Sequence, residues 1–382
     1  MDLRMEFIAR LNKGERLSDL CGEYGISQKT GRKYRNRYEE LGVSGLLDQT
    51  RAPKHIPHRT PVEVVKLVVT ERRKHPTWGP KKLKVMLEAR LSRPLPSAST
   101  LGNILVRERL IEPRTRHRAR HRSQGTWLRP SEAPNDVWCI DYKGQFRLGD
   151  QSYCYPLTVT DHFSRYILGC EGMAAINEEQ ACDVMKRLFR EYGLPGAIRS
   201  DNGPPFASTG LMGLTKLSVY WMKVGVAIER SRPAHPQDNG RHERMHRTLK
   251  QETTRPACSN LLKQQVTLDR FKRQFNDERP HEALGMRTPG SVHVPSTRRY
   301  PEELPQFDYS SYDDVIKVHR GGTIQLSQRK AIRLTSALVG QFVAIREEDD
   351  GRWLVSFQDL DLGYIDKDNR LTPAIPHPQL RR

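Results

Sequence analysis

The apolar residues of this chain change their spacing near Asp136. Ahead of that point they recur three and four apart behind helix-capping residues. Beyond it they gather in short runs, Val137-Trp138-Cys139-Ile140-Asp141, Tyr153 to Thr160, and Tyr166-Ile167-Leu168-Gly169-Cys170. The first pattern buries one stripe of a helix and the second makes buried strands, so no single all-helical or all-strand domain accommodates both. The 382 residues allow two to four domains, one with a sizeable core.

The first unit, 1–50, reads as three short helices. Ile8 and Leu11 mark the apolar face of one, Leu17 and Leu20 that of the next, and Tyr24-Gly25-Ile26-Ser27 supplies a turn and an N-cap. The third helix, from Ser27 to about Leu41, carries Gln28, Lys29, Arg32, Lys33, Arg35 and Arg37. A helix, a Gly-containing turn and a basic polar helix form a helix-turn-helix layout, whose second helix enters a major groove. An ordinary three-helix bundle with a solvated charged face is the other reading.

A proline-rich basic stretch, Arg51 to His58, leads to a similar unit over 59–113. There Val64, Val65, Leu67 and Val68 open a helix, Trp78-Gly79-Pro80 breaks it, and Lys81 to Leu91 forms another. Ser97-Ala98-Ser99-Thr100 caps a third, making Ser99, Thr100, Asn103 and Arg107 candidate DNA-facing residues. A basic linker over 114–134 includes Arg116, Arg118 and Arg120 and has no apolar face to bury, the composition of an arm that follows phosphates or enters a minor groove.

Charge supports these assignments. Residues 1–130 hold 29 Lys/Arg against 13 Asp/Glu, and residues 131–382 hold 35 against 32, so nearly all of the net +19 lies in the first third. Excess concentrated at one end is the footprint of a polyanion partner, here double-stranded DNA. The six cysteines are scattered without a Cys-x-x-Cys pair, which indicates neither a disulfide framework nor a zinc ribbon. No run is apolar enough to span a membrane, and the N-terminal residues do not resemble a signal peptide. A soluble, cytoplasmic protein without a membrane partner is expected.

Over 135–295, three neighbouring strands, a helix from Asn177 to Glu191, a strand ending at Ser200-Asp201-Asn202-Gly203 and further helices describe an α/β domain with a mixed sheet. After an acidic, proline-containing stretch, five short strand candidates (Val315 to His319, Thr323 to Leu326, Phe342 to Ile345, Trp353 to Phe357 and Leu362 to Ile365) predict a small β-barrel over 312–370.

Within the α/β domain, Asp141 lies at a strand end, Asp201 follows a later strand at a turn, and Glu243 falls in a predicted helix. Strand ends and an adjoining helix converge on one cleft. Carboxylates gathered there suit a hard cation held through oxygen, and two magnesium ions would activate a nucleophile and stabilise a leaving oxygen at phosphorus. Lys143, Arg241, Arg244, Arg247 and Lys250 suit phosphate neutralisation near such a cleft.

The wording around these residues is distinctive: Trp138-x-x-Asp141, Thr158-Val159-Thr160-Asp161-x-x-Ser164-Arg165, Ser200-Asp201-Asn202-Gly203-x-x-Phe206, Ser231-Arg232-Pro233-x-His235-Pro236-Gln237-x-Asn239-Gly240-x-x-Glu243-Arg244 and Asn276-x-x-Arg279-Pro280-His281-x-x-Leu284. In this order it resembles the catalytic core of retroviral integrases and of bacterial insertion-sequence transposases of the DDE class. The resemblance implies an RNase H-like fold with Asp141, Asp201 and Glu243 as ligands to two Mg²⁺ ions, for which Mn²⁺ would substitute. It implies cleavage at the element's terminal inverted repeats, attack of the freed 3′-hydroxyl on target DNA, and a homo-oligomer that holds two ends in a bacterial nucleoid. The tandem helical units resemble the end-binding domains of such transposases.

Two departures matter. A histidine and cysteine zinc module is not expected, since Cys21 is the only cysteine ahead of the core. The 41 residues between Asp201 and Glu243 exceed the retroviral interval, and the extra length is expected in a loop over Thr209 to Leu217; Glu229 is the nearest competitor for the third position. Asp161 fits a structural turn, and His235, His242 and His246 fit phosphate contact or helix packing better than metal ligation. A DNA-binding regulator with an inert core, and a nuclease that cuts without joining, share these residues.

Overall fold

A computed structural model describes residues 2–48, 59–112, 128–232, 239–310, 313–326 and 331–374. The chain divides into two compact units, residues 1–61 and 62–382. In the first, α1 (Asp2–Asn12), α2 (Leu17–Glu23) and α3 (Gln28–Leu41) close around Phe7, Ile8, Leu20, Cys21 and Leu46. Gly25, at φ +63°, makes the turn between α2 and α3, and the Ser27 hydroxyl accepts the Thr30 N–H at 3.2 Å to start α3. Gly31 is required where α3 crosses α2, because a Cβ there would stand 2.5 Å from the Cys21 sulfur. Gln28, Lys29, Arg32, Lys33 and Arg35 are all exposed on α3.

The second unit opens with α4 (Val62–Lys74), α5 (Pro80–Leu91) and α6 (Ala98–Arg107), packed around Val68, Trp78, Leu83, Leu87, Leu101 and Leu105. Pro80 occupies the first turn of α5, where its missing N–H leaves no hydrogen bond unmade. Ser97 caps α6 by accepting the Thr100 N–H. Ser99, Asn103 and Arg107 form an exposed stripe four residues apart, whereas Thr100 is half-buried and its hydroxyl pairs with Ser97. The basic stretch containing Arg116, Arg118 and Arg120 lies outside the described residues.

The central sheet is mixed. Strand β1 (Val137–Tyr142) lies between β3 (Tyr153–Asp161), antiparallel to it, and β5 (Ala197–Ser200), parallel to it. Beyond β5 comes parallel β6 (Ala227–Arg230); β4 (Ile167–Met173) and the two-residue β2 (Phe146–Arg147) both pair with β3. Helix α7 (Glu178–Tyr192), capped by Asn177, packs Ala181, Met185, Leu188 and Phe189 into the core with Trp138, Ile140, Leu157 and Leu168. Helix α8 (Lys216–Lys223) connects β5 to β6. A second apolar layer joins Met245 and Leu249 of α9 (Gly240–Thr253), Leu268 and Phe271 of α10 (Leu261–Arg273), and Phe275 to Ile167 and Cys170. Asn276 fastens that layer: its side chain accepts the Ile167 N–H at 2.8 Å and donates to the Ile167 carbonyl at 3.0 Å.

The C-terminal barrel expected from the sequence is not formed. Strands β7 (Asp314–Lys317), β10 (Phe342–Glu347), β11 (Trp353–Phe357), β12 (Leu360–Ile365) and β13 (Leu371–Pro373) make an open sheet in the order β13-β12-β11-β10-β7, and β8 (Thr323–Ile324) pairs with β9 (Ile332–Arg333) in a separate two-stranded sheet. Closure would require β7 and β13 to pair, but these edges have four and three residues and present too short a ladder to curl together. One of the expected strands also belongs elsewhere, since the Thr323 segment pairs with Ile332–Arg333 instead. No helix among the described residues is long and apolar enough to cross a membrane.

Candidate active site

Asp141 sits near the C-terminal end of β1, directly opposite Thr158 of β3. Its side chain retains 21% of its exposure. Asp201 follows the last residue of the parallel neighbour β5, where its carboxylate accepts the Gly203 N–H at 3.1 Å. A Cβ at Gly203 would crowd that carboxylate at 3.2 Å, so glycine leaves it accessible. Glu243 stands exposed in the first turn of α9. The two parallel strand ends and the helix start therefore bring their charges to bear on Asp141. Burial, reinforced by the Asp201 charge and then by that of Glu243, pushes the Asp141 carboxyl up to about 7, against the pull of Lys143.

Beneath this group lies a polar lattice on the buried face of α9. His242 and His246 are 2% and 6% exposed. The Thr158 hydroxyl donates to the Asp141 carbonyl at 3.1 Å and lies 2.7 Å from Nε2 of both histidines, while the Thr160 hydroxyl lies 2.8 Å from Nδ1 of His242. Nδ1 of His246 lies 3.7 Å from Asp141 Oδ2.

Ligand atoms of Asp141, His242 and His246 all lie within 4.8 Å of one another, a spacing compatible with a divalent ion. His242 nevertheless has both nitrogens engaged by threonines, so ligation would break a buried hydrogen bond. Burial pushes its imidazole down to about 3 and holds that of His246 well below its ordinary value, so both rings are neutral. They pack α9 onto the sheet and do not face phosphate. The signal was present in the sequence: His242 and His246 share the 3.6-residue stripe of Met245 and Leu249.

Other residues with a sequence-based reading have structural partners. Glu229, on β6, forms a buried ion pair with Arg199 at 2.8 Å. Asp161 accepts the Asn135 N–H at 2.8 Å and the Ser164 N–H at 2.7 Å, holding the turn after β3. His235 lies outside the described residues. The expected cations divide about α9. At 3.6 residues per turn, Glu243 and Lys250 lie about 100° to one side of the buried stripe and Arg241 and Arg244 on the other. Arg241, Arg244 and Arg247 all border one cavity beside α9.

Two models described as "Integrase core domain" match residues 131–236 and 224–289. A "Homeodomain-like domain" matches residues 30–105 and a "Helix-turn-helix domain" residues 3–54. The chain is 30% identical over 191 residues to the Gag-Pol polyprotein of Baboon endogenous virus (strain M7), covering 48% of this chain and 10% of that one. It is 26% identical over 182 residues to the Insertion element IS407 uncharacterized 31.7 kDa protein of Burkholderia multivorans, covering 45% and 62%. A solved structure of the HTLV-2 integrase catalytic core domain in complex with magnesium is similar at 15% identity and a TM-score of 0.34, covering 43% of this chain and 99% of that one. The chain spans about a tenth of the viral polyproteins and under two thirds of the insertion-element protein. It carries an RNase H-like integrase-type core preceded by helix-turn-helix sequence.

Proposed function

We propose that this chain is a DDE transposase of a bacterial insertion sequence, which binds the element's terminal inverted repeats and cuts and joins DNA at Asp141, Asp201 and Glu243. The observation that carries the reading is the state of Asp141: a mostly buried carboxyl whose proton affinity is raised by that burial and then by the charges of Asp201 and Glu243. Such a concentration of negative charge costs stability unless a cation neutralises it. The three carboxylates supply oxygen donors, the set that magnesium prefers. Bound there, Mg²⁺ would supply electrostatic stabilisation for in-line displacement at phosphorus.

The chain's own part is positional. Asp141 is fixed by the β1–β3 ladder and by the Thr158 hydroxyl on its own carbonyl, Asp201 by its turn, and Glu243 by the seating of α9 through His242 and His246. Exposed polar residues on α3 and α6 suit recognition of the repeats, and Lys143 and Lys250 suit phosphates beside the carboxylates. A working division into 1–50, 59–113, 114–134, 135–295 and 312–370 assigns DNA reading to the first two segments and chemistry to the fourth. Two DNA ends at one reaction call for a homo-oligomer, and the DNA substrate for a nucleoid location.

The experiment is Mg²⁺-dependent cutting and joining of duplexes that carry the repeat ends. Asp141→Asn and Glu243→Gln should abolish both products; undiminished cutting by either refutes the triad. Cut ends without joined products would indicate a nuclease, and sequence-specific binding without any cutting a regulator.

A further inference from the structure

Beside α9 lies a cavity of about 720 Å³, walled by the catalytic core and, through Lys82, by α5 of the second helical unit. Six cations line it: Lys82, Arg165, Arg241, Arg244, Arg247 and Arg279. Among the described residues Arg279 pairs with Glu252 at 2.9 Å, the other five form no ion pair with a carboxylate, and Arg165 and Arg241 donate to the His162 carbonyl. Two carboxylates share the lining, and each offsets part of this charge, Asp161 at Arg165 and Glu282 at Lys82. Asp161 also accepts the Asn135 and Ser164 N–H groups, and Glu282 pairs with Lys81 at 3.0 Å. Nε2 of His281, another lining residue, is buried without a hydrogen-bond partner.

Burial, and after it the neighbouring cations, lower the titrating groups. Burial and then Arg279 bring Lys82 down to about 8 against Glu282 and Glu252; burial and then Arg241 bring Arg165 down to about 10 against Asp161. His281 is held at about 3 by burial and by Lys82, Arg279 and Arg165, so its ring is neutral. Six cations against two lining carboxylates leave the concavity with an excess of positive charge that an anion would offset.

We propose that this cavity is a second DNA site, separate from the carboxylate cluster, in which Lys82, Arg165, Arg241 and Arg244 grip the phosphodiester backbone of one strand. Guanidinium groups match phosphate oxygens in pairs, and successive phosphates along a strand supply several charges to one concavity, as a single small anion does not. Because one wall belongs to α5 and the other to α9, DNA held here is clamped by the second helical unit and the catalytic core at once. The inference rests on the transposase reading for the identity of the polyanion.

The test uses the full chain, a short duplex and EDTA, so that cutting is silent and binding is read alone. Lys82, with its lowered proton affinity, is a reactive amine for an acylating reagent. The duplex should protect it at saturation, as read by mass spectrometry on the unaltered protein. The paired substitution K82Q and R244Q should flatten the salt dependence by about 0.9 per lost phosphate contact, so that a fourfold rise in salt costs the unaltered chain about 12-fold more affinity than the variant. Equal acylation of Lys82 with and without bound duplex overturns the site. Protection by polyglutamate but not by the duplex overturns DNA as its ligand. Neither readout depends on Asp141, so a failure of the catalytic assignment would appear separately, as normal cutting by Asp141→Asn.

Discussion

Removing the Asp141 charge should stabilise the protein in the absence of metal, by an amount that grows as pH rises from about 4 and is complete above about 7. The folded carboxyl has its proton affinity raised from the ordinary 3.8 to about 7. The folded state therefore binds a proton that the unfolded state has already released across this window. Stability from the neutral acid is fully present below pH 3.8 and is lost as pH rises through 7. At about 1.4 kcal/mol per tenfold change in proton affinity, the loss is at most about 4 kcal/mol. Asp141→Asn keeps the shape of the neutral acid and removes its titration. In EDTA the variant should melt with the unaltered protein at pH 4 and roughly 8–16 °C above it at pH 8.5, the shift expected for a domain of this size. Magnesium added at pH 8.5 should raise the melting temperature of the unaltered chain and leave the variant unmoved. Superimposable melts at both pH values would show that Asp141 is well solvated and free of its neighbours, and the case for a metal site would lose its main support.

Three further outcomes follow from the packing. Thr158→Val removes the hydroxyl that hydrogen-bonds Nε2 of both buried histidines and should destabilise the core by about 2–4 kcal/mol in chemical denaturation; a change below about 0.5 kcal/mol would mean that the lattice is hydrated. Asn276→Ala strips the Ile167 N–H and C=O of their partner and should cost about 2–4 kcal/mol, with accelerated amide exchange at Ile167 as the local readout. His242 and His281 are held near 3 by burial, so the stability they contribute is present above their ordinary 6.5 and lost as pH falls towards 3. Titration of stability in EDTA between pH 7 and 4 should show that decline, and His242→Asn should make it shallower.

Much of this organisation could be read from residue spacing. Helix caps at Ser27, Ser97 and Asn177 marked three starts, because a hydroxyl or amide that accepts a backbone N–H works locally. The runs at Val137, Tyr153 and Tyr166 likewise marked β1, β3 and β4, since a strand buried on both faces must be apolar at successive positions. What escaped was long-range. The open C-terminal sheet depends on whether two short edges meet, a property of twist and length that no strand carries in its own sequence. Pairing Glu229 with Arg199 joins residues 30 apart, and the cationic cavity joins Lys82 to Arg165 and His281 across the whole core.

The division of the α9 cations shows why composition alone misassigns such groups. Arg241, Glu243 and Arg244 are near neighbours in sequence, and their charges suggest one cleft in which cations offset the phosphates approaching the carboxylates. A helix turns by about 100° per residue, so the buried stripe of His242, Met245, His246 and Leu249 separates Glu243 from Arg241, while Arg244 and Arg247 project on the solvent side between them. None of these arginines is among the main groups acting on the Asp141 carboxyl: burial, Asp201 and Glu243 raise it, and the Tyr142 N–H and Lys143 lower it. The helix thus holds Arg241 apart from the charges that raise Asp141, and the two can be perturbed separately.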